Sequence, residues 1–397
     1  MNSTTSNPKT EITRWLLDTR SIWPGDKITD SASTYLSLVS QAEQNAIIRK
    51  YHIADARMSL ASALLKRAYI HKCTGLSWSK IDFERKGHPV HGKPVWKHPD
   101  AEYSGQPWPK IDFNVSHQAG LVMLVGSYSL QKITPAKSTW EGDITSNVQS
   151  EEEEVIVGCD IVCPNERQDL EIIRETNFED WTSTFNEVLS DEELWDITYN
   201  LPSHSLTLLN GESVSSNVLG RLDRVILCDQ DVELEFDDGR LEKFSSDLIV
   251  EAKLRRFYTF YALKEAYIKL VGEGLLAPWI KKCEFRNVKA PKPGTVARCS
   301  TNGVWGGRII GGVHSGHDTV HAHRQSNGVP GSEDQLEIWF DNEEVVDVRT
   351  EVQAFEDNFI IATMIRPASI LGLDGFPLWH RVDLEHDIME RAKALGK

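Results

Sequence analysis

The stretch IDFNVSHQAGLVMLVGSYSL (residues 111–130) decides the fold, because it predicts two strands joined by a tight turn at QAG. Ser116 and His117 are adjacent in the first strand, so their side chains point to opposite faces of the sheet. A further apolar strand, VGCDIV (157–162), contains one carboxylate, Asp160. A buried carboxylate needs a hydrogen-bond donor, an opposite charge or a metal ion, which makes Asp160 a candidate functional residue.

Length and composition indicate a globular chain with two packed halves. The chain has 397 residues, of which 40% are hydrophobic and 26% charged. No apolar run reaches the roughly 18 residues needed to cross a bilayer, and the N-terminus lacks the pattern of a secretory signal. The six cysteines are scattered, which is typical of reduced thiols in a cytoplasmic protein. Cys159 and Cys163 are a weak candidate pair for a metal, because no matching pair follows them.

The net charge of −16 argues against a general nucleic-acid-binding protein. The charge is unevenly distributed, since residues 1–100 contain fifteen Lys and Arg against nine Asp and Glu. This excess is compatible with ordinary solvated faces. It also favours a basic surface for an anionic ligand or an acidic partner, with KLRR (253–256) as a second basic stretch.

Two long helices are predicted from apolar residues at helical spacing, over residues 35–72 and over LIVEAKLRRFYTFYALKEAYIKLVG (248–272). Gly75 and Gly272 mark their ends. Short extended runs separated by turn residues predict several strands. The simplest architecture is an α+β fold of two pseudo-repeated halves. Each half is a long helix packed on a small antiparallel sheet, and the active site lies in the cleft between them.

A polar, acidic linker at residues 131–154 separates the predicted halves. The N-terminal half spans residues 1–150 and the C-terminal half residues 151–397, with insertions near 201–250 and 295–335. The second insertion is rich in Gly, Ser and His, which is more typical of a surface loop than of a metal site. Its histidines are His314, His317, His321 and His323.

Glu265 and Lys269 are four residues apart on the second predicted helix, so they share one face. A surface ion pair has the same spacing, but the apolar residues around this pair indicate the edge of a cleft. Asp160 and Glu265 come from separate elements and suit Mg²⁺. That ion takes one or two carboxylates and fills its other positions with water and phosphate oxygens.

Ser116 and His117 are poor candidates for a hydrolase dyad, since they face apart and no GxSxG motif is present. A hydroxyl and an imidazole that donate to phosphate fit the pattern better. The stretch HGKPVW adds Lys93, which forms a basic loop with Arg85 and Lys86. The alternative is a solvated basic loop without a ligand.

Taken in order, four motifs resemble those of the 4′-phosphopantetheinyl transferases of the monomeric, surfactin-synthetase-activating type. They are GKP (92–94), FNVSH (113–117), VGCDIV (157–162) and LKEAYIKLVGEGL (263–275). The stretch YHIADARMSLASALLKR (51–67) is similar to the early helix of that family. The insertions make the chain similar to the long fungal members.

The resemblance implies an enzyme that transfers 4′-phosphopantetheine from coenzyme A to a serine of a carrier domain, with Mg²⁺, and releases adenosine 3′,5′-bisphosphate. The implied partners are the carrier domains of fatty acid synthase, polyketide synthases, nonribosomal peptide synthetases and aminoadipate reductase. A cytoplasmic monomer without nucleic-acid or membrane partners is expected. The alternatives are a non-catalytic module that binds carrier domains and a phosphohydrolase of coenzyme A.

The same resemblance implies the roles of the site residues. Asp160 and Glu265 would hold Mg²⁺ on the diphosphate, and Lys269, the third catalytic candidate, would neutralise its oxygens. Glu265, directly or through a water on the metal, would accept the serine proton. The implied coenzyme A ligands are Arg49, Ser59, Arg85, Lys93, Pro94, Ser116, His117 and Lys269. Two positions depart from the family pattern, because Val162 replaces a frequent acid and Tyr261 the usual tryptophan.

Overall fold

A computed structural model describes most of the chain, in the ranges 10–86, 92–99, 107–130, 154–201, 206–208, 212, 214, 216–273, 277–293, 299–300, 335–372 and 375–393. The acidic linker up to residue 153 and the four histidines of the second insertion lie outside the described residues. No helix in the described ranges has the length and apolar character needed to cross a membrane.

The helices of this part of the chain are α1 (Ile28–Ser31), α2 (Ser33–Leu36), α3 (Gln41–Ile48), α4 (Ile53–Thr74), α5 (Asp169–Glu175), α6 (Phe178–Ser183), α7 (Asp191–Tyr199), α8 (Ser216–Leu219), α9 (Asp247–Val271) and α10 (Glu390–Lys393). The strands are β1 (Glu11–Asp18), β2 (Asp82–Lys86), β3 (Lys93–Lys97), β4 (Lys110–Gln118), β5 (Leu121–Ser129), β6 (Ile156–Val162), β7 (Asp231–Glu235), β8 (Leu241–Ser245), β9 (Cys283–Arg286), β10 (Cys299–Ser300), β11 (Glu337–Phe340), β12 (Glu343–Glu344), β13 (Arg349–Phe355), β14 (Phe359–Arg366) and β15 (His380–Arg381).

Two four-stranded sheets form the centre of the molecule. Their strand orders are β15-β1-β5-β4 and β10-β13-β14-β6, and neighbouring strands are antiparallel except for the parallel pair β1 and β15. Helix α4 packs on β4 and β5, and α9 packs on β6 and β14. A shared apolar core lies between the sheets. The predicted α+β class is confirmed, and the pseudo-repeat of the two halves stays a prediction.

The stretch 111–130 forms β4 and β5, as its alternating pattern predicts. The two strands pair from Lys110 opposite Ser129 to Gln118 opposite Leu121. Gly120 lies in the connecting turn with a φ of 85°, a left-handed conformation that favours glycine. The turn therefore sets the register that directs alternate β4 residues to opposite faces.

The predicted helix over residues 35–72 is wrong as one continuous element, because the chain turns between α3 and α4. A capping box, in which Ser40 and Glu43 satisfy each other's backbone N–H groups, begins α3. The ends of both long helices are confirmed. Gly75 and Gly272 cap α4 and α9 with φ values of 69° and 83°.

The expectation that KLRR (253–256) forms an exposed basic patch is wrong, because α9 is buried along this segment. Lys253 is fully buried and donates to two backbone carbonyls at 2.7 and 2.6 Å, and burial lowers its pKa to about 7. Arg256 is 2% exposed and pairs with Asp196 at 2.5 Å. Arg255 donates to the carbonyls of residues 291 and 357. These cations hold backbone segments and are unavailable to a partner.

The last described segment returns to the first sheet. Strand β15 lies beside β1, and Val382 and Ile388 pack into the core beneath α4. The division into residues 1–150 and 151–397 stays a prediction, but this packing places the end of the chain with the first half. A two-residue strand carries too little local pattern for sequence reasoning to detect.

Arg14 joins the two sheets through a buried polar network. Its guanidinium donates to Glu351 at 2.8 Å and to Gln353 at 2.9 Å, and Trp379 donates to the same Gln353 oxygen at 2.8 Å. The Arg14 guanidinium also lies 4.4 Å from the Trp379 ring centroid. Burial lowers the pKa of Arg14, and the Glu351 carboxylate opposes that effect.

Gly158 allows β6 to lie unusually close to α9. A Cβ atom at this position would be 2.2 Å from the Ala266 carbonyl oxygen and 2.7 Å from the Leu270 nitrogen. Both are backbone atoms of a helix, so neither can move away without deforming it. The separation between the strand and the helix therefore requires glycine at residue 158.

We expect Gly158→Ala to lower the free energy of unfolding by about 3 kcal/mol, because the new methyl group forces the strand off the helix. Chemical denaturation measures this loss. Gly239→Ala is the control, since residue 239 has a φ of 79° and open space around it. Backbone strain alone should cost the control about 1 kcal/mol. Equal losses in the two variants would contradict the close-contact role of Gly158.

Candidate active site

Strand β6 presents alternate residues to two environments. One set packs in the core between the sheets: Val157, Cys159 and Ile161. The other set, Gly158, Asp160 and Val162, faces α9. Val162 is 2% exposed and packs in the core against α9. The position two residues after Asp160 therefore provides an apolar contact and no oxygen ligand for a metal. This alternation directs the Asp160 carboxylate at the helix face that contains Glu265 and Lys269.

Asp160, Ser116 and Lys269 form a closed cluster at the contact of β4, β6 and α9. Asp160 Oδ1 accepts from Ser116 Oγ at 2.7 Å and from Lys269 Nζ at 2.5 Å. Lys269 Nζ also lies 3.0 Å from Ser116 Oγ. Asp160 is 5% exposed. The three sequence candidates therefore meet in one buried group, with the carboxylate stabilised by a hydroxyl and an ammonium.

Glu265 completes the cluster as a second buried carboxylate. Its Oε1 atom is buried and has no hydrogen-bond partner among the described residues. Burial and then the neighbouring Asp160 raise the pKa of Glu265 to about 7, while Lys269 and a hydrogen bond with Tyr261 oppose this shift. Tyr261 therefore contributes a polar contact where the family usually has tryptophan. An ionised Glu265 is under-compensated in this cluster.

The charges and the donor set fit a magnesium ion. Burial lowers the pKa of Lys269, but Asp160 and Glu265 together raise it above its ordinary value, so this ammonium stays charged beside the two carboxylates. The group therefore has one negative charge in excess at high pH. No third His, Cys, Asp or Glu joins these carboxylates within the described ranges. Mg²⁺ accepts such a pair and completes its shell with water and phosphate oxygens.

Strand β4 carries a polar ladder that faces β6 and α9. Asp112 Oδ2 accepts the Val157 N–H at 2.7 Å, and Asn114 Nδ2 donates to the Lys269 carbonyl at 3.3 Å. Ser116 follows two residues later. Sequence reasoning missed Asp112 and Asn114. The signal that identifies them is the alternation of Asp, Asn and Ser at every second residue of a strand.

His117 lies outside this cluster, as its strand position predicts. Ser116 is buried, whereas His117 is exposed on the other face of β4. Partial desolvation, and then the charges of Lys269 and Lys50, lower the pKa of His117. A cavity of about 290 Å³ at the start of α4 has two lysines, Lys27 and Lys50, and one carboxylate, Asp26, in its wall. The ammonium groups beside His117 favour an anionic ligand on this side.

The ammonium of Lys93 is buried and bonded to two groups of β4 and β6. Its Nζ donates to Asp112 at 2.6 Å and to the Val157 carbonyl at 2.8 Å, and its side chain is 5% exposed. Pro94, the next residue of β3, pairs with Arg85 of β2. The predicted contact of Lys93 with a nucleotide phosphate therefore has no support in the arrangement of its ammonium.

Arg85 and Lys66 form a cationic group beside Phe83. Lys66 Nζ lies 5.1 Å from the Phe83 ring centroid, and Arg85 shares the strand face of Phe83 because they are two residues apart. The Gly92 carbonyl accepts from the Arg85 guanidinium at 2.7 Å. Burial lowers the pKa of Lys66, the Glu43 carboxylate opposes this effect, and the charges of Arg67 and Arg85 add to it. No carboxylate within the described residues forms an ion pair with either cation. Sequence reasoning missed Lys66.

The remaining predicted ligands lie apart from the cluster. Arg49 is exposed at the end of α3, next to Lys50 in the cavity wall. Ser59 is half-buried in the second turn of α4. Neither side chain contacts Asp160 or Lys269, so the roles of Arg49 and Ser59 stay predictions.

Lys264 has a structural role although it precedes Glu265. Its Nζ pairs with Glu193 at 2.8 Å, and both side chains are almost fully buried. Glu193 also accepts the Phe285 N–H at 2.9 Å. This pair anchors α9 to α7 and β9, while Glu265, one residue round the helix, faces β6.

Comparison with known proteins agrees with this architecture. A family model described as "4′-phosphopantetheinyl transferase, N-terminal" matches residues 26–129. A 4′-phosphopantetheinyl transferase of Aureobasidium melanogenum is 43% identical over 95% of this chain and 96% of its own length. 4′-Phosphopantetheinyl transferase A of Aspergillus fumigatus is 32% identical over 92% and 86%, respectively. The L-aminoadipate-semialdehyde dehydrogenase-phosphopantetheinyl transferase of Schizosaccharomyces pombe is 29% identical over 30% and 42%.

A buried pair of carboxylates with one ammonium, at the contact of β4, β6 and α9, is compatible with an enzyme that stabilises charge on a transferred phosphoryl group. The chain belongs to the 4′-phosphopantetheinyl transferase family. It is a transferase of the long fungal type, as the nearly full-length matches show.

Glu265→Gln should stabilise the metal-free protein at high pH. The pKa of Glu265 rises from 4.5 to about 7 on folding, so the folded state binds this proton more tightly than the unfolded state. Stability conferred by that proton is complete below pH 4.5 and is lost as the pH rises through about 7. We expect the variant to exceed the wild type by about 1–3 kcal/mol near pH 8, and by little near pH 5, in chemical denaturation with a chelator present.

Glu171→Gln is the control, because Glu171 is exposed on α5. It should follow the wild type at both pH values. No gain for Glu265→Gln near pH 8 would contradict the under-compensated carboxylate.

Proposed function

We propose that the protein transfers 4′-phosphopantetheine from coenzyme A to a serine of a carrier domain, converting an apo carrier to its holo form. The observation that carries this proposal is the buried group of Asp160, Glu265, Lys269 and Ser116 in a member of the phosphopantetheinyl transferase family. Such a group compensates the charge of a diphosphate only when a divalent cation joins it.

Asp160 and Glu265 would hold Mg²⁺, which when bound supplies positive charge to the diphosphate of coenzyme A. Lys269, whose side chain is 27% exposed, neutralises a diphosphate oxygen from the helix side. Glu265, directly or through a water held by the metal, would accept the proton of the incoming serine hydroxyl. The serine oxygen bonds to the β-phosphorus while the bond to the bridging oxygen breaks, and adenosine 3′,5′-bisphosphate leaves.

The nucleotide end of coenzyme A is assigned to the cationic side of the first half. Neither Arg85 nor Lys66 forms an ion pair with a carboxylate of the described residues, although the Glu43 carboxylate partly offsets the charge of Lys66. Burial disfavours the charged form of Lys66, so an anionic ligand at this point is stabilising. Arg85 supplies the planar fork that suits phosphate, and Lys66 supplies a point charge.

The acceptors we propose are carrier domains of fatty acid synthase, polyketide synthases, nonribosomal peptide synthetases and aminoadipate reductase. The Schizosaccharomyces pombe relative is named for the last of these substrates, which supports that part of the proposal. A monomeric state and a cytoplasmic location stay predictions. So does the absence of nucleic-acid and membrane partners.

The intact mass of an apo carrier, incubated with coenzyme A, Mg²⁺ and this protein, tests the function. We expect the carrier to gain one phosphopantetheine group, with stoichiometric release of adenosine 3′,5′-bisphosphate. Consumption of coenzyme A without modification of the carrier would instead indicate a phosphohydrolase. No change in either would indicate a binding module.

Asp160→Ala and Glu265→Ala should each lower kcat by at least about a thousandfold with the fold intact, because the diphosphate charge loses several kcal/mol of compensation. The rate of holo-carrier formation at saturating Mg²⁺ measures the effect, and circular dichroism checks the fold. Glu171→Ala, an exposed carboxylate near the site strand, is the matched control. Near-normal turnover of either site variant would count decisively against the assignment.

Lys66→Met and Arg85→Met should raise the KM for coenzyme A about tenfold and leave kcat nearly unchanged, because a contact remote from the reacting phosphorus acts as uniform binding. With dephospho-coenzyme A, which lacks the 3′-phosphate, wild type and variants should have similar KM values. Lys86→Met is the control, since Lys86 is exposed on the opposite face of β2. If the variants raise the KM equally for both substrates, Lys66 and Arg85 do not bind the 3′-phosphate.

A further inference from the structure

Lys93, Asp112 and Val157 form a closed three-point junction between separate sheets. Lys93 Nζ donates to Asp112 Oδ2 at 2.6 Å and to the Val157 carbonyl at 2.8 Å. The same Asp112 oxygen accepts the Val157 N–H at 2.7 Å. Lys93 begins β3 of a hairpin, whereas β4 and β6 belong to the two four-stranded sheets. One buried ion pair therefore ties three sheets together.

This junction is the first of three side-chain attachments between β4 and β6. The second is the Cys159 thiol, which donates to Asn114 Oδ1 at 3.7 Å, and the third is the hydrogen bond from Ser116 to Asp160. No backbone ladder joins β4 to β6, because they lie in different sheets. These side chains are therefore what attach β6 to β4, while the ladder with β14 and the contact with α9 hold β6 on its other sides. Releasing the junction would loosen the Val157 end of β6 on β4.

The burial of the junction argues against a ligand-binding role for Lys93. Its side chain is 5% exposed and that of Asp112 is 12% exposed. The Lys93 ammonium can reach a phosphate only by leaving Asp112. That movement leaves a buried carboxylate without its counter-ion, which is strongly unfavourable.

We propose that Lys93 and Asp112 form a latch that positions Asp160, so that Lys93 is a positioning residue and not a ligand of coenzyme A. The latch also couples the β2–β3 hairpin, which carries Arg85, to the strand that carries Asp160. The catalytic consequence of the latch rests on the proposed function. Its structural consequence, a fixed position of β6, does not.

Hydrogen–deuterium exchange of the segment 156–162 tests the structural consequence. Lys93→Met and Asp112→Asn should each speed exchange of this segment by about tenfold or more, because its attachment to β4 is weakened. Lys97→Met, at the exposed end of the same strand β3, is the control and should exchange like the wild type. Unchanged exchange in both latch variants would overturn the proposal.

Steady-state kinetics tests the catalytic consequence. Both latch variants should lower kcat by about 10–100-fold with little change in the KM for coenzyme A, as expected for outer-shell positioning groups. The kcat of the double variant should be at least as high as that of the less active single variant, because removing both partners leaves no uncompensated charge. Lys97→Met should keep wild-type kinetics.

A ligand role for Lys93 requires a different result. Lys93→Met would then raise the KM for coenzyme A but not for dephospho-coenzyme A, while Asp112→Asn would resemble the wild type. That outcome would overturn the latch. If the wild type transfers no phosphopantetheine, the proposed function fails, and the exchange measurement alone decides the latch.

Discussion

The close contact of β6 with α9 is the constraint on which the site depends. At Gly158 the strand approaches the helix backbone to a distance that no side chain allows. Because β6 alternates, this approach places the next inward residue, Asp160, against the helix face of Glu265 and Lys269. The buried ion pair of Lys264 holds the other side of the helix. Backbone geometry therefore brings the charged groups together before any ligand binds.

The charged groups are less well compensated than a structural cluster would be. Asp160 has both a hydroxyl and an ammonium as donors, whereas Glu265 Oε1 has no hydrogen-bond partner in the described part of the chain. Burial and Asp160 raise the pKa of Glu265 to about 7. A protein selected for stability alone would replace Glu265 with a neutral residue. The presence of this carboxylate is explained if a bound cation and a diphosphate compensate its charge. On the first sheet's side, Lys66 and Arg85 form no ion pair with a carboxylate of the described residues, which is the opposite imbalance.

Local pattern was sufficient to predict much of this arrangement. Alternation in 111–130 and helical spacing around Glu265 and Lys269 predicted the elements, and the structure brings Asp160, Ser116 and Lys269 together as expected. Those predictions succeeded because strand alternation and helical periodicity are local properties.

The failures concern interactions between distant segments. Sequence reasoning treated Lys93 and KLRR (253–256) as exposed cations, but tertiary packing buries Lys93, Lys253 and Arg256 against carboxylates and carbonyls. The short pairing of β15 with β1 likewise has no local signal and was not predicted. Burial of a long cationic side chain depends on its partners and cannot be read from its own segment.

The central claim is that Asp160 and Glu265 together hold a divalent cation against the diphosphate of coenzyme A. A crystal structure with coenzyme A and Mn²⁺, which substitutes for Mg²⁺ and scatters anomalously, tests it most directly. One anomalous peak should lie about 2.0–2.2 Å from an oxygen of each carboxylate and of the diphosphate. A peak that contacts neither carboxylate, or coenzyme A bound away from Lys269, would contradict this account.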